Sequence, residues 1–265
     1  MRRRGSKPSL QRGVNPAPDY DGSGWTPVDG YLRQWVDCWY PAWAVEGRAA
    51  ATAESAPAVA ATQWNDMGPW GQHLTATYGV SSPELVRTRG VLNGRLAVRF
   101  PSSSDKLIGD GVKHGAPTGT EKTVIVVCYL SAGDKWLFAR GNSDGDEDWV
   151  IASIEGGQGY YDSGNFSYVE GGSVPTGTNI VFSARNQSDT HVVRINGTQI
   201  ATATRSGAQS ASGGPISIGA GRGGGTGNAS GSYIAEAICY RTSLTDTALL
   251  KIERKLGAYY GCAVA

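Results

Sequence analysis

Short strand patterns joined by glycine-rich connections occupy most of the chain from about residue 55, and they constrain its fold more than any other feature. Leu96, Val98 and Phe100 share one face of an alternating run, which is typical of a half-buried strand. Asn196-Gly197 separates two apolar runs, and this dipeptide favours the tight turn of a β-hairpin. The predicted strands span 95–100, 123–130, 136–139, 149–154, 179–184, 191–195, 215–218 and 233–240. Repeated antiparallel strands predict an all-β sandwich.

One helix is predicted after the last strand. Thr245 has the side chain of an N-cap, and Gly261 marks the end of the helical pattern. Three apolar side chains share one helix face: Leu249, Ile252 and Leu256. We expect this face to pack on the sandwich.

Composition excludes several other classes of protein. The 265 residues include 38 Gly, 8 Trp and 12 Tyr, and 18% are charged, which is too aromatic and too poor in charge for a disordered chain. No run approaches the roughly 18 apolar residues that span a bilayer, and residues 5–30 contain no apolar core of a signal peptide. The net charge of +1 removes any overall electrostatic attraction to nucleic acid. We therefore expect a globular protein with neither a membrane nor a nucleic-acid partner and without conventional export.

The cysteines show no metal-binding spacing, and two of them lie inside strongly apolar strand patterns. The four residues are Cys38, Cys128, Cys239 and Cys262. We interpret them as buried thiols.

The first 54 residues differ from the rest because they are rich in Pro, Asp, Gly and aromatic residues and lack strand or helix periodicity. We interpret residues 1–54 as an extended basic and aromatic arm and residues 55–265 as the sandwich domain. Aromatic side chains are costly to leave in water, so the arm should lie on its own domain, a sister subunit or another protein. The candidate docking residues are Arg2, Arg3, Arg4, Lys7, Arg12, Trp35, Trp39 and Trp43. Because every predicted strand and the helix follow residue 55, the sandwich is expected to fold without the arm.

Four stretches resemble the concanavalin A-like lectin/glucanase superfamily, in the laminin G-like form that occurs in bacterial surface proteins and phage virion proteins. The stretches are residues 62–66 with His73-Leu74, residues 96–100, the Asn196-Gly197 hairpin, and residues 234–261. The last is the most specific, because it resembles the closing strand, short loop and terminal helix of that superfamily. The resemblance covers about residues 55–262 and implies a jelly roll of two curved antiparallel sheets. Its members range from lectins and glucanases to adhesion modules, so it specifies the fold better than the function.

Catalytic members of the superfamily carry Glu-x-Asp on one strand, and no Glu-x-Asp occurs in this chain. The nearest acidic pattern lies between two predicted strands, and we interpret it as a solvated hairpin loop. The protein is therefore expected to be non-enzymatic, with no catalytic residue and no cofactor. The alternative is that this loop binds Ca²⁺, because it presents oxygen ligands at alternate positions. The candidate metal ligands are Asn142, Asp144, Asp146 and Asp148.

A second segment has the chemistry of a sugar site. Pyranose rings pack on aromatic faces, while nearby amide and carboxylate groups bind their hydroxyls. The candidate glycan-binding residues, which lie among glycines, are Tyr160, Tyr161, Asp162 and Asn165. The alternative is that one or both tyrosines pack on the sheet or on a neighbour.

Three expectations have to be explained together: a lectin-like sandwich, the lack of an export signal and an arm that begins at Met1. A phage virion protein would account for all three. The sequence therefore predicts a minor tail or capsid-surface protein, made in the host cytoplasm and exposed on the particle. Its arm would bind other virion proteins, and its sandwich would attach to host-surface glycans or decorate the particle as a homo-oligomer. The alternative is a bacterial surface or secreted carbohydrate-binding module, or a glycoside hydrolase, of the same superfamily.

Overall fold

The computed structural model describes residues 20, 23–27, 30–46, 58–69, 71–77, 82–88, 90–109, 121–141, 147–154, 157–162, 168–204, 214–221 and 229–265. Within these residues the chain forms two antiparallel β-sheets and one α-helix, so the predicted all-β jelly-roll sandwich is confirmed. The helix, α1 (Asp246–Tyr260), has 15 residues. Among the described residues, no helix is long and apolar enough to cross a bilayer.

The first sheet contains nine strands in the described part of the chain. From one edge to the other they are β15 (Thr198–Thr204), β14 (Thr190–Ile195), β13 (Asn179–Gln187), β8 (Lys122–Tyr129), β17 (Tyr233–Tyr240), β6 (Leu96–Arg99), β5 (Glu84–Arg87) and β2 (Val59–Ala60), with β1 (Val36–Pro41) also paired to β17. β6 pairs with the start of β17, at Tyr233 and Ile234, while β1 pairs with the rest of it.

The second sheet contains eight strands within the same described ranges. Their order is β12 (Tyr168–Ser173), β11 (Gln158–Asp162), β10 (Glu147–Ile154), β9 (Lys135–Gly141), β16 (Ile216–Ile218), β7 (Lys106–Ile108), β4 (Leu74–Thr77) and β3 (Gln63–Trp64). The predicted strands all occur here or in the first sheet, with ends that differ by a few residues.

Two apolar cores explain the uninterrupted apolar run of β8. Val124 and Val126 point between the two sheets, whereas Ile125 and Val127 point to the opposite face of the first sheet, into a second core under α1. Because both faces of this sheet are covered, its central strands lack the polar alternation of a solvated sheet.

α1 closes the second core as predicted. The Thr245 hydroxyl accepts a hydrogen bond from the Ala248 amide at 3.3 Å, and Gly261 ends the helix in the left-handed region at φ 71°. The predicted apolar stripe of Leu249, Ile252 and Leu256 is buried against the sheet.

The same helix face also carries a buried acid that its apolar stripe did not reveal. Glu253 accepts hydrogen bonds from the Ser183 hydroxyl at 2.5 Å and from the Arg194 guanidinium at 3.2 Å. Ser183 and Arg194 both belong to the first sheet. Their hydrogen bonds to Glu253 therefore hold α1 in a fixed position against that sheet.

Two other local predictions are confirmed. Asn196 and Gly197 form the turn between β14 and β15 with φ of 50° and 82°, which is the conformation that this hairpin requires. All four cysteines are buried thiols. Cys38 and Cys239 are directly opposite each other in the pairing of β1 with β17.

The predicted boundary at residue 54 is wrong for residues 36–45. β1 is hydrogen-bonded to β17 from Glu236 to Tyr240, and Trp39 is only 2% exposed within the second core. Trp43 is also buried there, whereas Trp35 is 39% exposed. The missing periodicity of this segment reflects burial of both of its faces, not separation from the domain. The other proposed docking residues, Arg2, Arg3, Arg4, Lys7 and Arg12, lie outside the described residues.

Candidate functional site

The predicted glycan-binding tyrosines lie in strand β11, which the sequence analysis did not predict, and they point in opposite directions. Successive side chains of a strand alternate between its two faces. Tyr161 is 0% exposed in the core between the sheets, where its hydroxyl donates to Asn186 Oδ1 at 2.8 Å. The prediction that both tyrosines contact a sugar is therefore wrong for Tyr161, and its alternative, packing on the sheet, is confirmed for this residue.

Tyr160 lies on the outer face of the second sheet, where it meets an aromatic residue that the sequence analysis did not select. Ala152 on β10 pairs with Tyr160 on β11 and with Trp136 on β9. The two aromatic rings approach across this small residue, with centroids 6.1 Å apart and planes at 77°. Both side chains are half-buried. We call these two residues the Trp136–Tyr160 pair.

A short turn after β16 lies beside this pair. The Gly221 backbone lies next to the Trp136 indole. A Cβ atom added to Gly221 would be 3.6 Å from Cδ2 of this indole. The Ser217 hydroxyl donates to the Gly221 carbonyl at 2.8 Å and holds the turn in place. The outer face of the second sheet therefore offers two aromatic rings with backbone polar groups nearby, which is the chemistry of a sugar-binding surface.

The remaining predicted site residues are only partly described. Asp162 and Asp148 belong to β11 and β10, but their side chains lie outside the described residues. The described residues do not include the other four predicted site residues, which are Asn142, Asp144, Asp146 and Asn165. Within the described part of the chain, no three His, Cys, Asp or Glu side chains are grouped to hold a metal ion. The Ca²⁺ loop stays a prediction.

Glu236 is a buried carboxylate that sequence reasoning missed. It is 0% exposed and accepts hydrogen bonds from Trp39 Nε1 at 2.6 Å, from the Tyr260 hydroxyl at 2.8 Å and from the Tyr20 hydroxyl at 3.0 Å. These donors come from β1, the end of α1 and the N-terminal segment. Glu236 therefore connects the N-terminal segment to the helix and closing strand, and it is not open to a substrate.

Burial raises the pKa of Glu236 to about 7, although its three hydrogen bonds act in the opposite direction. The unfolded chain loses this proton near pH 4.5, whereas the folded protein keeps it to about pH 7. Between these values the unfolded state binds fewer protons, so the free energy of unfolding falls as pH rises.

We expect wild type to lose roughly 3 kcal/mol more stability than Glu236→Gln between pH 4.5 and pH 7, at about 1.4 kcal/mol per pH unit. Urea denaturation across this range measures the difference, and Glu236→Gln is the matched control because it keeps the shape without the titration. Parallel pH profiles for the two proteins would show that Glu236 does not titrate in this window.

Asp66, within one of the stretches that carry the superfamily resemblance, also has a structural role. Its carboxylate accepts hydrogen bonds from the backbone amides of Trp39, Gly68 and Gln72 at 2.7 to 3.0 Å. Burial raises its pKa to about 6. Asp66 therefore holds the backbone of Gly68 and Gln72 close to β1, and its carboxylate, like that of Glu236, is fully used in hydrogen bonds within the protein.

Comparison with protein-family models finds no match, and comparison with curated proteins finds none either. Solved structures do match. A structure of botulinum neurotoxin type C, described as interacting with two ganglioside molecules, has a TM-score of 0.57 and 8% identity, with 85% of this chain and 52% of that chain covered. The binding domain of botulinum neurotoxin DC, in complex with rat synaptotagmin II, has a TM-score of 0.56 and 10% identity over 85% and 52%. An α-L-arabinofuranosidase soaked with a cyclic sulfate inhibitor has a TM-score of 0.55 and 18% identity over 77% and 52%.

These likenesses define a class of fold. The chain is a jelly-roll β-sandwich and shares this fold with the matched botulinum neurotoxin binding domain and arabinofuranosidase. It spans about half the length of the solved structures that it matches. At these identities the likeness concerns the fold alone, and the matched proteins include both binding domains and enzymes.

Proposed function

We propose that this protein is a non-catalytic carbohydrate-binding protein whose Trp136–Tyr160 pair contacts the sugar. The observation that carries the proposal is the position of these half-buried rings together on the outer face of the second sheet. Aromatic faces match the apolar faces of pyranose rings, and the polar backbone at Gly221 can bind hydroxyl groups. The match to a toxin described with gangliosides and to an arabinofuranosidase supports a saccharide ligand.

The non-catalytic part of the proposal rests on the carboxylates. A retaining glycosidase needs two carboxyl groups about 5 Å apart beside the sugar, and the chain contains no Glu-x-Asp to place them on one strand. Among the described residues, Glu236, Asp66 and Glu253 are buried and hydrogen-bonded to protein groups. A hydrolase that uses Asp146 and Asp148 as its acids is the alternative.

Display on a phage particle is a further part of this proposal. It is supported by the five basic residues among positions 2–12, which favour an acidic partner surface. Trp39 and Trp43 belong to the core and cannot bind another virion protein. The proposed docking residues are therefore those five basic residues and Trp35. The backbone next to Trp35 is held by Arg241, which donates to the Gln34 carbonyl at 2.7 Å.

Multivalent display tests the sugar site, because weak single sites gain strength by repetition. We expect Trp136→Ala and Tyr160→Ala each to weaken binding of displayed protein to cell-wall glycans by about 2- to 12-fold per site, from the loss of about 0.5–1.5 kcal/mol of aromatic contact. Trp35→Ala is the matched control, since it removes an exposed tryptophan elsewhere and should bind like wild type.

Other outcomes would change the assignment. Equal binding by wild type and both site variants would exclude the Trp136–Tyr160 pair, and absence of binding by wild type would favour passive decoration. Release of reducing ends from a polysaccharide, abolished by Asp146→Asn or Asp148→Asn, would favour the hydrolase.

A further inference from the structure

Two cysteines face each other across the pairing of β1 with β17. Cys38 lies directly opposite Cys239 in this antiparallel ladder. Both side chains belong to the core between the two sheets, so they point to the same side of the ladder. Directly opposite residues of an antiparallel pair have Cα atoms about 4.5 or 5.5 Å apart, and both distances lie within the range of about 4.4–6.8 Å that a disulfide requires. The backbone therefore already has the spacing of a disulfide between these two cysteines.

A β-bulge in β1 turns Cys38 toward this core. The register of the ladder shifts just before Cys38, so Asp37 is an extra residue on β1. Cys38 points between the sheets, and the Asp37 carboxylate does so as well, because it pairs with Arg140 on the second sheet. Trp39, the next residue, points to the opposite face, into the core under α1. In a regular strand Asp37 and Cys38 would face opposite sides, so the bulge is what gives Cys38 the same orientation as Cys239.

The other two cysteines are not arranged in this way. Cys128 points into the core between the sheets, whereas Cys262 lies in the core under α1, so the first sheet separates their thiols. The strands on either side of Cys128 place apolar residues opposite it. All four cysteines are among the described residues, and the strand pairing joins only Cys38 and Cys239 of these four.

Both thiols of this pair are unreactive while β1 stays on β17. Cys38 and Cys239 are each 0% exposed. Burial raises the pKa of the Cys38 thiol well above its usual value, and the neighbouring Cys239 thiol adds to the rise. The thiolate is the form that attacks an oxidant, so a buried and protonated thiol reacts slowly. Oxidation of the pair therefore has to occur while β1 is detached from the sheet, as it is in a chain that has not finished folding.

We propose that Cys38 and Cys239 are the site of a disulfide that forms when the chain folds in an oxidising environment. The oxidant is a low-molecular-weight disulfide. The thiolate of the first cysteine attacks one of its sulfur atoms, forms a mixed disulfide and releases one small thiol. The second cysteine then attacks the mixed disulfide and releases the other small thiol. The protein loses two protons and two electrons, and the oxidant is reduced to two thiols that carry those protons.

This bond fastens β1 to the closing strand of the domain. The two cysteines are about 200 positions apart in the chain, so the disulfide closes a long loop and strongly restricts the unfolded chain. β1 also supplies the Trp39 indole to the Glu236 carboxylate and the Asp37 carboxylate to Arg140. Oxidation therefore holds both of these buried contacts in place. The inference does not depend on the proposed sugar site.

Refolding of the full chain tests the proposal. The reduced protein is denatured in urea and refolded either with a mixture of glutathione and glutathione disulfide or with reduced glutathione alone. Free thiols are then alkylated in denaturant and counted by mass spectrometry. We expect all four thiols after reducing refolding and two after oxidising refolding, with a linked pair of peptides that contain Cys38 and Cys239. The same oxidation of a chain kept in urea should give mixed pairings, because no strand pairing then selects the partners.

Cys128→Ala/Cys262→Ala is the matched control, since it removes two buried thiols and keeps the proposed pair. We expect this variant to form the same bond, and oxidised wild type and the control each to melt about 5–15 °C above their reduced forms. Oxidising conditions should leave the Tm of Cys38→Ala unchanged.

The peptide map of wild type involves no substitution, so it decides the question even where a variant fails to fold. The proposal is overturned if wild type refolded with glutathione disulfide keeps four thiols, or if its linked peptides are the same mixture as in urea. An equal Tm for oxidised and reduced wild type would equally contradict it.

Discussion

A variant that begins at residue 52 is expected not to fold. It lacks β1, which pairs with β17 from Glu236 to Tyr240, and it lacks the indole that donates to the buried Glu236 carboxylate. Loss of a single buried tryptophan side chain typically costs about 3–5 kcal/mol. Trp39, Tyr40 and Trp43 are all buried, so their combined loss, about 9–15 kcal/mol, is as large as the roughly 5–15 kcal/mol that stabilises an ordinary domain.

Circular dichroism and urea denaturation measure this outcome. We expect the shortened chain to lack a cooperative unfolding transition, whereas full-length Trp35→Ala should stay within about 0.5 kcal/mol of wild type, because Trp35 is exposed. A wild-type melting transition in the shortened chain would show that residues 55–265 form the domain alone, as the sequence analysis expected.

Arg140→Leu is expected to reduce the free energy of unfolding by about 3–5 kcal/mol. Arg140 is 0% exposed on β9, and its Nη1 donates to Asp37 Oδ2 at 3.0 Å. Asp37 is also buried and belongs to β1, so this ion pair connects the two sheets. Removal of the guanidinium leaves a carboxylate buried opposite a hydrocarbon, and the cost of that uncompensated charge dominates the effect.

The double variant Asp37→Asn/Arg140→Leu is the matched control. We expect it to be more stable than Arg140→Leu alone, because the unpaired charge has been removed, and a double-mutant cycle with Asp37→Asn measures the coupling. Equal stability of Arg140→Leu and wild type would show that the buried Asp37 carboxylate is not stabilised by its ion pair with Arg140.

The fold was predictable where local rules dominate. Thr245 and Gly261 bound the helix, and Asn196-Gly197 forms the predicted turn, because capping and positive φ depend on residues close in the chain. The buried face of α1 followed from apolar spacing alone. β1 was not predicted, because a strand covered on both faces shows no alternation.

The candidate site was only half predictable. Tyr160 lies on the outer face of the sheet and Tyr161 lies in the core. The sequence analysis did not separate the two residues, because it predicted no strand over this segment and the alternation of side chains could not be applied. Trp136 lies 24 positions before Tyr160 in the chain, and only the pairing of both residues with Ala152 brings them together. An apolar run such as 136–139 does not indicate which side chain faces outward.

The sequence by itself determined the class of fold, since strand periodicity, hairpin turns and helix caps are short-range properties that each segment carries alone. The tertiary structure decided which charges are paired. Glu236, Arg140 and Glu253 each take partners more than 20 positions away. Pairing of buried charges depends on distances of a few ångströms between distant segments, and no local pattern encodes such distances.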